Sequence, residues 1–201
     1  MLTLLQEKLP ALTGAQHAML LRYYALIVEG NKRVNLTAIT DAAEVVDKHF
    51  CDSLLAEAYI EHNARCIDIG TGAGFPGVPL LIARPDIHMT LLDSLQKRVR
   101  FLEETLGELG LLANVVHARA EDAAKMPAHR EQYDIALSRA VAPLPVLLEL
   151  CVPFVRVGGC TLCMIPCHTE YGARNIIRAK KIKPTPPRYP RKAGEPARKP
   201  L

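Results

Sequence analysis

The stretch Asp68-Ile69-Gly70-Thr71-Gly72-Ala73-Gly74-Phe75-Pro76-Gly77 decides the reading of this chain. The apolar pair Cys66-Ile67 before it reads as the end of a buried strand. The apolar run over 78–82 after it reads as a helix. A strand, a glycine-rich turn and a helix start form a cradle for a small charged molecule. Glycines let backbone approach a ligand where a Cβ would collide, and a helix N-terminus offers unsatisfied N–H groups. A tight turn that holds no ligand is the plainer alternative.

After residue 60 strand and helix patterns alternate. Strands are predicted over 65–69, 87–92, 113–117, 133–138 and 160–165, with helices over 77–84, 95–109, 121–125 and 144–152. This alternation predicts an α/β fold with a mainly parallel sheet covered on both faces. Ligands of such sheets sit beyond the carboxyl ends of the strands, near the topological switch point. Before residue 60 the patterns are helical. Thr13 to Gln16 reads as a capping box, followed by Leu20, Leu21, Tyr24, Ile27 and Val28 at helical spacing and a stop at Gly30-Asn31. Asp41 with Glu44 repeats the device ahead of Val45, Val46, Phe50 and Leu54, and Asp93 with Gln96 reads as a third helix-start pair. The predicted organisation is a small helical subdomain over 1–60 and an α/β domain over 61–183. A basic, Pro-rich tail over 184–201 follows, read as extended coil. The basic segment 176–183 reads as a strand, and 166–175 as short and irregular.

A length of 201 residues and 49% apolar content suit one α/β domain with a small extension. No run approaches the ~18 apolar residues of a membrane span; the longest candidate, 144–155, carries Glu149. Gln6 and Glu7 interrupt any signal-like pattern. A soluble, cytosolic chain with six reduced cysteines is expected, and no membrane partner. The net charge of +4 is uneven, because residues 176–201 hold nine Lys/Arg against one Glu. A basic tail on a near-neutral body suits a polyanion partner or simple solvation.

Gly70-x-Gly72-x-Gly74 differs from the G-x-G-x-x-G spacing of nicotinamide and flavin proteins. An acidic residue ahead of the first glycine, here Asp68, is typical of methyltransferases that use S-adenosylmethionine. Asp93, at the end of the second strand, suits both ribose hydroxyls, a device shared with NAD proteins. Ala120-Glu121 follows the third strand, where Glu121 either flanks an adenine or favours a helix dipole. Arg139, in Ser138-Arg139-Ala140 at the end of the fourth strand, faces the reacting centre of such a sheet or forms a surface ion pair. Cys160, Cys163, Cys167 and His168 cluster within nine residues. Cys160 and Cys163, three apart on a strand, point to opposite faces, so no metal site is expected.

Residues 68–79 (D-I-G-T-G-A-G-F-P-G-V-P) resemble the ribosomal RNA small-subunit methyltransferase G family, also called glucose-inhibited division protein B. So do Leu91-Leu92-Asp93-Ser94-x-x-Lys97-Arg98-Val99-x-Phe101-Leu102 and Ser138-Arg139-Ala140-Val141-Ala142. Asn31-Lys32-x-x-Asn35-Leu36-Thr37 and His49-x-x-Asp52-Ser53 are similar to its N-terminal motifs, and 188–201 to its C-terminal signature. The resemblance implies a Rossmann-like class I S-adenosylmethionine-dependent methyltransferase. It further implies methyl transfer to guanine N7 in small-subunit (16S) ribosomal RNA.

By position, Gly70, Phe75, Ala120, Glu121 and Arg139 match the family's cofactor contacts, Asp93 would take the ribose, and Asp68, Gly72 and Gly74 complete the cradle. Arg139, His49 and Asp52 are the candidates for positioning the target base. Lys32, Arg33, Lys97, Arg98, Arg188, Arg191 and Lys192 are candidates for RNA phosphates. The partner implied is small-subunit ribosomal RNA or the ribosomal subunit, with the chain itself a monomer. Two further readings are a methyltransferase acting on another substrate and a non-catalytic RNA-binding member of the fold. One departure stands out. The family continues after the fifth strand with a Met-Lys-Gly turn, a helix and two strands, whereas here Met164 is followed by Ile165-Pro166. A shortened C-terminal third is expected, with an exposed sheet edge.

Overall fold

The alternation beyond residue 60 folds into one six-stranded sheet of order β3-β2-β1-β4-β5-β6. The computed structural model describes residues 1–139, 142–166 and 174–201. Ala140 and Val141 of the third motif, and Cys167 and His168 of the Cys/His cluster, lie outside the described residues. The strands are β1 Arg65–Ile69, β2 His88–Asp93, β3 Asn114–His117, β4 Tyr133–Arg139, β5 Val155–Pro166 and β6 Arg174–Lys180. Strands β1 to β5 pair parallel, and β6 returns antiparallel against β5. Sequence order reverses between β1 and β4, so the switch point lies at the end of β1, where the glycine turn begins.

Along each strand successive side chains enter different cores. Cys66, Leu91, Ile135, Leu137, Cys160 and Leu162 belong to the larger buried cluster, and Ile67, Ile69, Leu92 and Ala136 to the smaller one. Cys163 lies against Cys151 of the smaller cluster while Cys160 sits in the larger, so the two cysteines do face opposite ways. Among the described residues no three His, Cys, Asp or Glu side chains gather as a metal site. No described helix is long and apolar enough to cross a membrane.

The larger cluster is covered by α1 Leu2–Lys8, α2 Gly14–Asn31, α5 Gly77–Ala83 and α6 Gln96–Leu109. Thr13 caps α2 in a full capping box with Gln16, as its sequence predicts. The short α3 Ala42–Val45 is capped by Asp41, then continues through a π-helical turn Val46–Cys51 into α4 Asp52–Leu54. Leu5, Leu20, Tyr23, Ile27 and Phe50 share this one cluster with Leu80, Leu91 and Phe101. The N-terminal helices therefore have no core of their own, and their apolar faces are completed only by the sheet. The opposite face is covered by α7 Ala120–Ala123, α8 Leu144–Cys151 and the 3-10 turn Val152–Phe154.

Two expectations need correction. Asp93 does not cap α6: the N-cap is Leu95, and Asp93 accepts Leu95 N from outside the helix. The tail is not extended coil. Arg130 donates to the carbonyls of Thr185, Pro186 and Tyr189, Glu131 accepts from Lys181 and Thr185 N, and Arg191 makes three hydrogen bonds to the buried Glu149. Proline removes backbone donors but leaves every carbonyl, and a single arginine collects three of them. The tail ends in α9 Glu195–Arg198 against α8.

Of the helix and two strands implied after β5, only one strand follows β5 among the described residues. It runs antiparallel and directly beside β5, as the free edge of the sheet. Exposed Arg178 and Lys180 lie along that edge, charges of the kind that discourage strand-to-strand association.

Candidate cofactor and nucleotide cleft

The glycine turn is held from below and from the side. Asp68 is fully buried at the end of β1, where its Oδ2 accepts Thr71 Oγ1 at 2.7 Å and Gly77 N, at the start of α5, at 2.9 Å. Gly70 N and Thr71 N donate to Leu92 O at the end of β2. Asp93 Oδ2 accepts Gly72 N at 2.9 Å. Tyr23 of α2 donates its hydroxyl to Ala73 O at 2.6 Å. Three elements thus converge on ten residues of loop, and the helices before residue 60 serve as its buttress.

Above this turn a cleft of about 520 Å³ is lined by Leu36, Thr37, His49, the turn residues Gly70 to Ala73, Phe75, Asp93, Arg98 and Arg139. A slot of about 220 Å³ continues from it through Gly70 and Ser94. The slot is floored by Ile69 and Leu92 and flanked by Ala120, Glu121, Val146 and Leu150. A separate apolar groove runs between Leu144, Leu148 and Val152 and the tail prolines. It lies on the stripe of α8 turned away from Val146 and Leu150, so it is not part of the strand-end cleft.

Arg139 and Asp52 form a buried ion pair at 2.9 Å. Arg139 also donates to Lys48 O, lies 3.2 Å from His49 Nδ1, and has its guanidinium 4.9 Å from the centre of the Phe75 ring. His49 stacks on the same ring at 4.4 Å, and its Nε2 is 2.9 Å from Thr37 Oγ1. The π-helical turn is what brings Lys48 O, His49 and Asp52 to one side. Such turns recur at functional sites and leave no trace in hydrophobic periodicity.

The structure therefore brings together Gly70, Gly72, Phe75, Asp93, Arg98, Arg139 and His49 in the cleft, Ala120 and Glu121 in the adjoining slot, and Asp52 behind Arg139. Asp68 and Gly74, expected as cofactor contacts, lie beneath the surface of the cradle and shape it: Gly74 faces Tyr23, Val78 and Leu102. Lys32 and Arg33 are exposed in pairs with Glu29 and Glu104, and Lys97 is exposed on α6 beside them. Arg188 and Lys192 are exposed on the tail, but Arg191 is committed to Glu149 and is not available to phosphates. Leu36, Thr37, Tyr23 and Ser94 also build the site. Their only signal in the sequence was membership of the quoted motifs for Leu36, Thr37 and Ser94, and none for Tyr23, whose role depends on a contact fifty positions away.

Burial pushes the Asp68 carboxyl up to about 6, against the hydrogen bonds from Thr71 and Gly77 and the charge of Arg139, which act downward. Its Oδ1 has no hydrogen-bond partner among the described residues. A carboxyl whose folded pKa lies above its unfolded value destabilises the fold once ionised. The penalty begins near pH 4, is complete above about pH 6, and amounts to about 3 kcal/mol. Asp68→Asn is expected to gain stability relative to wild type as pH rises from 4 to 7, and to be no more stable than wild type at pH 4. Urea unfolding at both pH values reads this directly.

A buried carboxylate kept against its own desolvation needs a reason. Asp68 and Asp93 place negative charge on both sides of the turn, which suits a cationic ligand. The slot beyond Gly70 offers apolar faces to a planar base. The residues present fit S-adenosyl-L-methionine, which carries a sulfonium, an ammonium and an adenosine.

Parallel order with a switch at β1, a glycine turn between two strand-end carboxylates and a base-sized slot beyond them belong to one class, the Rossmann-like S-adenosyl-L-methionine-dependent methyltransferases. A solved S-adenosyl-L-methionine-dependent methyltransferase from Aquifex aeolicus shares the fold, with a TM-score of 0.50 over 65% of this chain and 70% of that one at 19% identity. The chain itself belongs to the rRNA small subunit methyltransferase G (GidB) family, whose profile matches residues 16–175. The ribosomal RNA small subunit methyltransferase G of Alkaliphilus oremlandii is 43% identical over 221 residues, spanning 94% of this chain and 92% of that protein. The protein of that name from Geobacillus thermodenitrificans is 40% identical over 229 residues, spanning 98% and 96%. Both alignments are longer than the 201 residues of this chain, so both relatives carry residues that it lacks.

Proposed function

We propose that this chain methylates N7 of a guanine in small-subunit (16S) ribosomal RNA, with Gly70, Gly72, Phe75, Asp93, Ala120, Glu121 and Arg139 holding S-adenosyl-L-methionine. One observation supports the choice of N7: among the described residues the end of β4 offers Arg139, clamped by Asp52 and lying against His49, and no cysteine to attack a base, a set that positions a base rather than attacking it. The cofactor supplies an electrophilic methyl carbon. Guanine N7 has an available lone pair, so a bond to that carbon forms as the sulfur–carbon bond breaks, and no proton has to leave the base. Positioning and electrostatics then supply the catalysis. A base-carbon methyltransferase needs a cysteine nucleophile. Among the described residues no cysteine lines the cleft, and Cys151 and Cys163 are buried.

In this reading the buried Phe75 ring, stacked on His49 and covered by Arg139, is the rigid support that holds His49 and Arg139 toward the target base. Asp52 and Thr37 act through Arg139 and His49 as positioning residues. The expected assay result is 7-methylguanosine in digests of 16S RNA incubated with the chain and labelled cofactor. A different methylated nucleoside would refute N7, and RNA binding without methyl transfer would select the non-catalytic reading.

Lys97, Arg98, Lys32, Arg33, Arg188 and Lys192 are the proposed phosphate contacts. The pairs of Lys32 and Arg33 are exposed and readily exchanged for phosphates. Lys97→Ala is expected to weaken RNA binding at all sequences alike and to lower the slope of log K against log salt by about 1. Arg191→Ala should instead act on the tail's attachment, since its partner is Glu149. A monomeric, cytoplasmic protein is the assembly and location that fit this activity. Sedimentation of the purified chain tests the first.

A further inference from the structure

We infer that the C-terminal segment 194–197 is a wall of the cofactor's purine subsite. This rests on the placement of the cofactor in the strand-end cleft and goes beyond the residues assigned to it above. Gly194, Pro196 and Ala197 line the slot opposite Ile69 and Leu92, beside Glu121 and Val146. Gly194 N donates to Glu121 Oε1 at 3.0 Å, so the tail and the turn after β3 are tied together across the slot. Gly194 has φ of +80°, a left-handed conformation that aims this N–H at Glu121 and starts α9.

The segment is brought there by an anchor outside the slot. Arg191 grips the buried Glu149 of α8 through its backbone N and two guanidinium nitrogens. Two residues separate that clamp from Gly194, so the wall is set by a rigid neighbour. Apart from 194–197, the described lining of the slot comes from the ends of β1 and β2, the turns after β2, β3 and β4, α7 and α8. With the segment in place, a planar base in the slot would lie among the apolar side chains of Leu92, Ala120, Leu150 and Pro196. The chemical class selected is a purine nucleoside, and the rest of the ligand, the ribose near Asp93 and the methionine half near Gly72, does not depend on the tail.

Hydrogen exchange of the full chain with and without S-adenosylhomocysteine tests this. Ligand-induced protection is expected in the peptide covering 192–198 as well as in that covering 70–75. Protection of 70–75 alone would overturn the wall and leave the cradle standing. Protection of neither would overturn both. Gly194→Pro, which removes the N–H and cannot adopt the positive φ, is expected to weaken S-adenosylhomocysteine binding at least about tenfold, as for loss of a hydrogen bond to a charged group. Arg84→Lys, on the far side of the sheet from the slot, is the control. Unchanged affinity in a folded Gly194→Pro would also overturn the proposal.

Discussion

Asp52→Ala is expected to lower the stability of the fold by about 3–5 kcal/mol, because it leaves the Arg139 guanidinium in a buried position without its carboxylate. The Arg139 and Asp52 side chains are only 7% and 5% exposed, and the pair bridges the start of α4, just after the π-helical turn, to the end of β4. In a domain of this size such a loss lowers Tm by roughly 6–20 °C. Methyl transfer should fall as well, since Arg139 can no longer be held over Phe75. Arg139→Met in the same chain removes the uncompensated charge and is expected to return part of the stability but none of the activity. A loss below about 1 kcal/mol in Asp52→Ala would mean that the pair is an incidental contact, comparable to exposed pairs.

Gly74→Val comes second in size. A Cβ at this position would lie 2.6 Å from the Tyr23 hydroxyl and 2.7 Å from Val78, and φ is +108°. Strain and overpacking together destabilise by about 3 kcal/mol or more. The damage should not be local, because Tyr23 holds Ala73 O and would be displaced from the turn. S-adenosylhomocysteine binding is expected to be lost at temperatures where the variant is still folded. Gly107→Ala is the contrast: it lies in the last turn of α6 with nothing within 4 Å, and there the addition of a methyl group should stabilise by about 0.5–1 kcal/mol. Equal behaviour of the two variants, by thermal unfolding and calorimetry, would refute the account of the turn.

The α/β order was legible because it rests on local signals. Arg65–Ile69 is a strand with the predicted bounds, the helix from Gly77 begins where its apolar run begins, and Thr13 caps α2. What was not legible depends on distant contacts. Tyr23 reaches the glycine turn from another helix, and the π-helical turn at Val46–Cys51 departs from the period that sequence patterns detect. The tail misled for a related reason. Its composition is that of a solvated chain, and nothing within it shows that Arg130, Glu131 and Glu149 supply its partners. The same contacts changed the reading of Arg191 from an RNA ligand to an anchor. Asp68 was correctly placed at the turn by its position before Gly70, but burial decides that it shapes the cradle from below.

The shortening after β5 was visible as a missing Met-Lys-Gly turn, and its structural outcome is modest. β6 closes against β5, and the strand-end cleft is built from elements that precede it or from the anchored tail. The cleft over β1 and β2 is expected to bind the cofactor in this shorter chain as well. Calorimetric titration with S-adenosylhomocysteine tests it most directly, with Gly72→Asp as the control. Gly72 has φ of +64°, and its N–H is held by Asp93, so an aspartate there is both strained and repelled. Binding of the wild-type chain that Gly72→Asp abolishes is the predicted result. A folded wild-type chain that binds no S-adenosylhomocysteine would contradict the account.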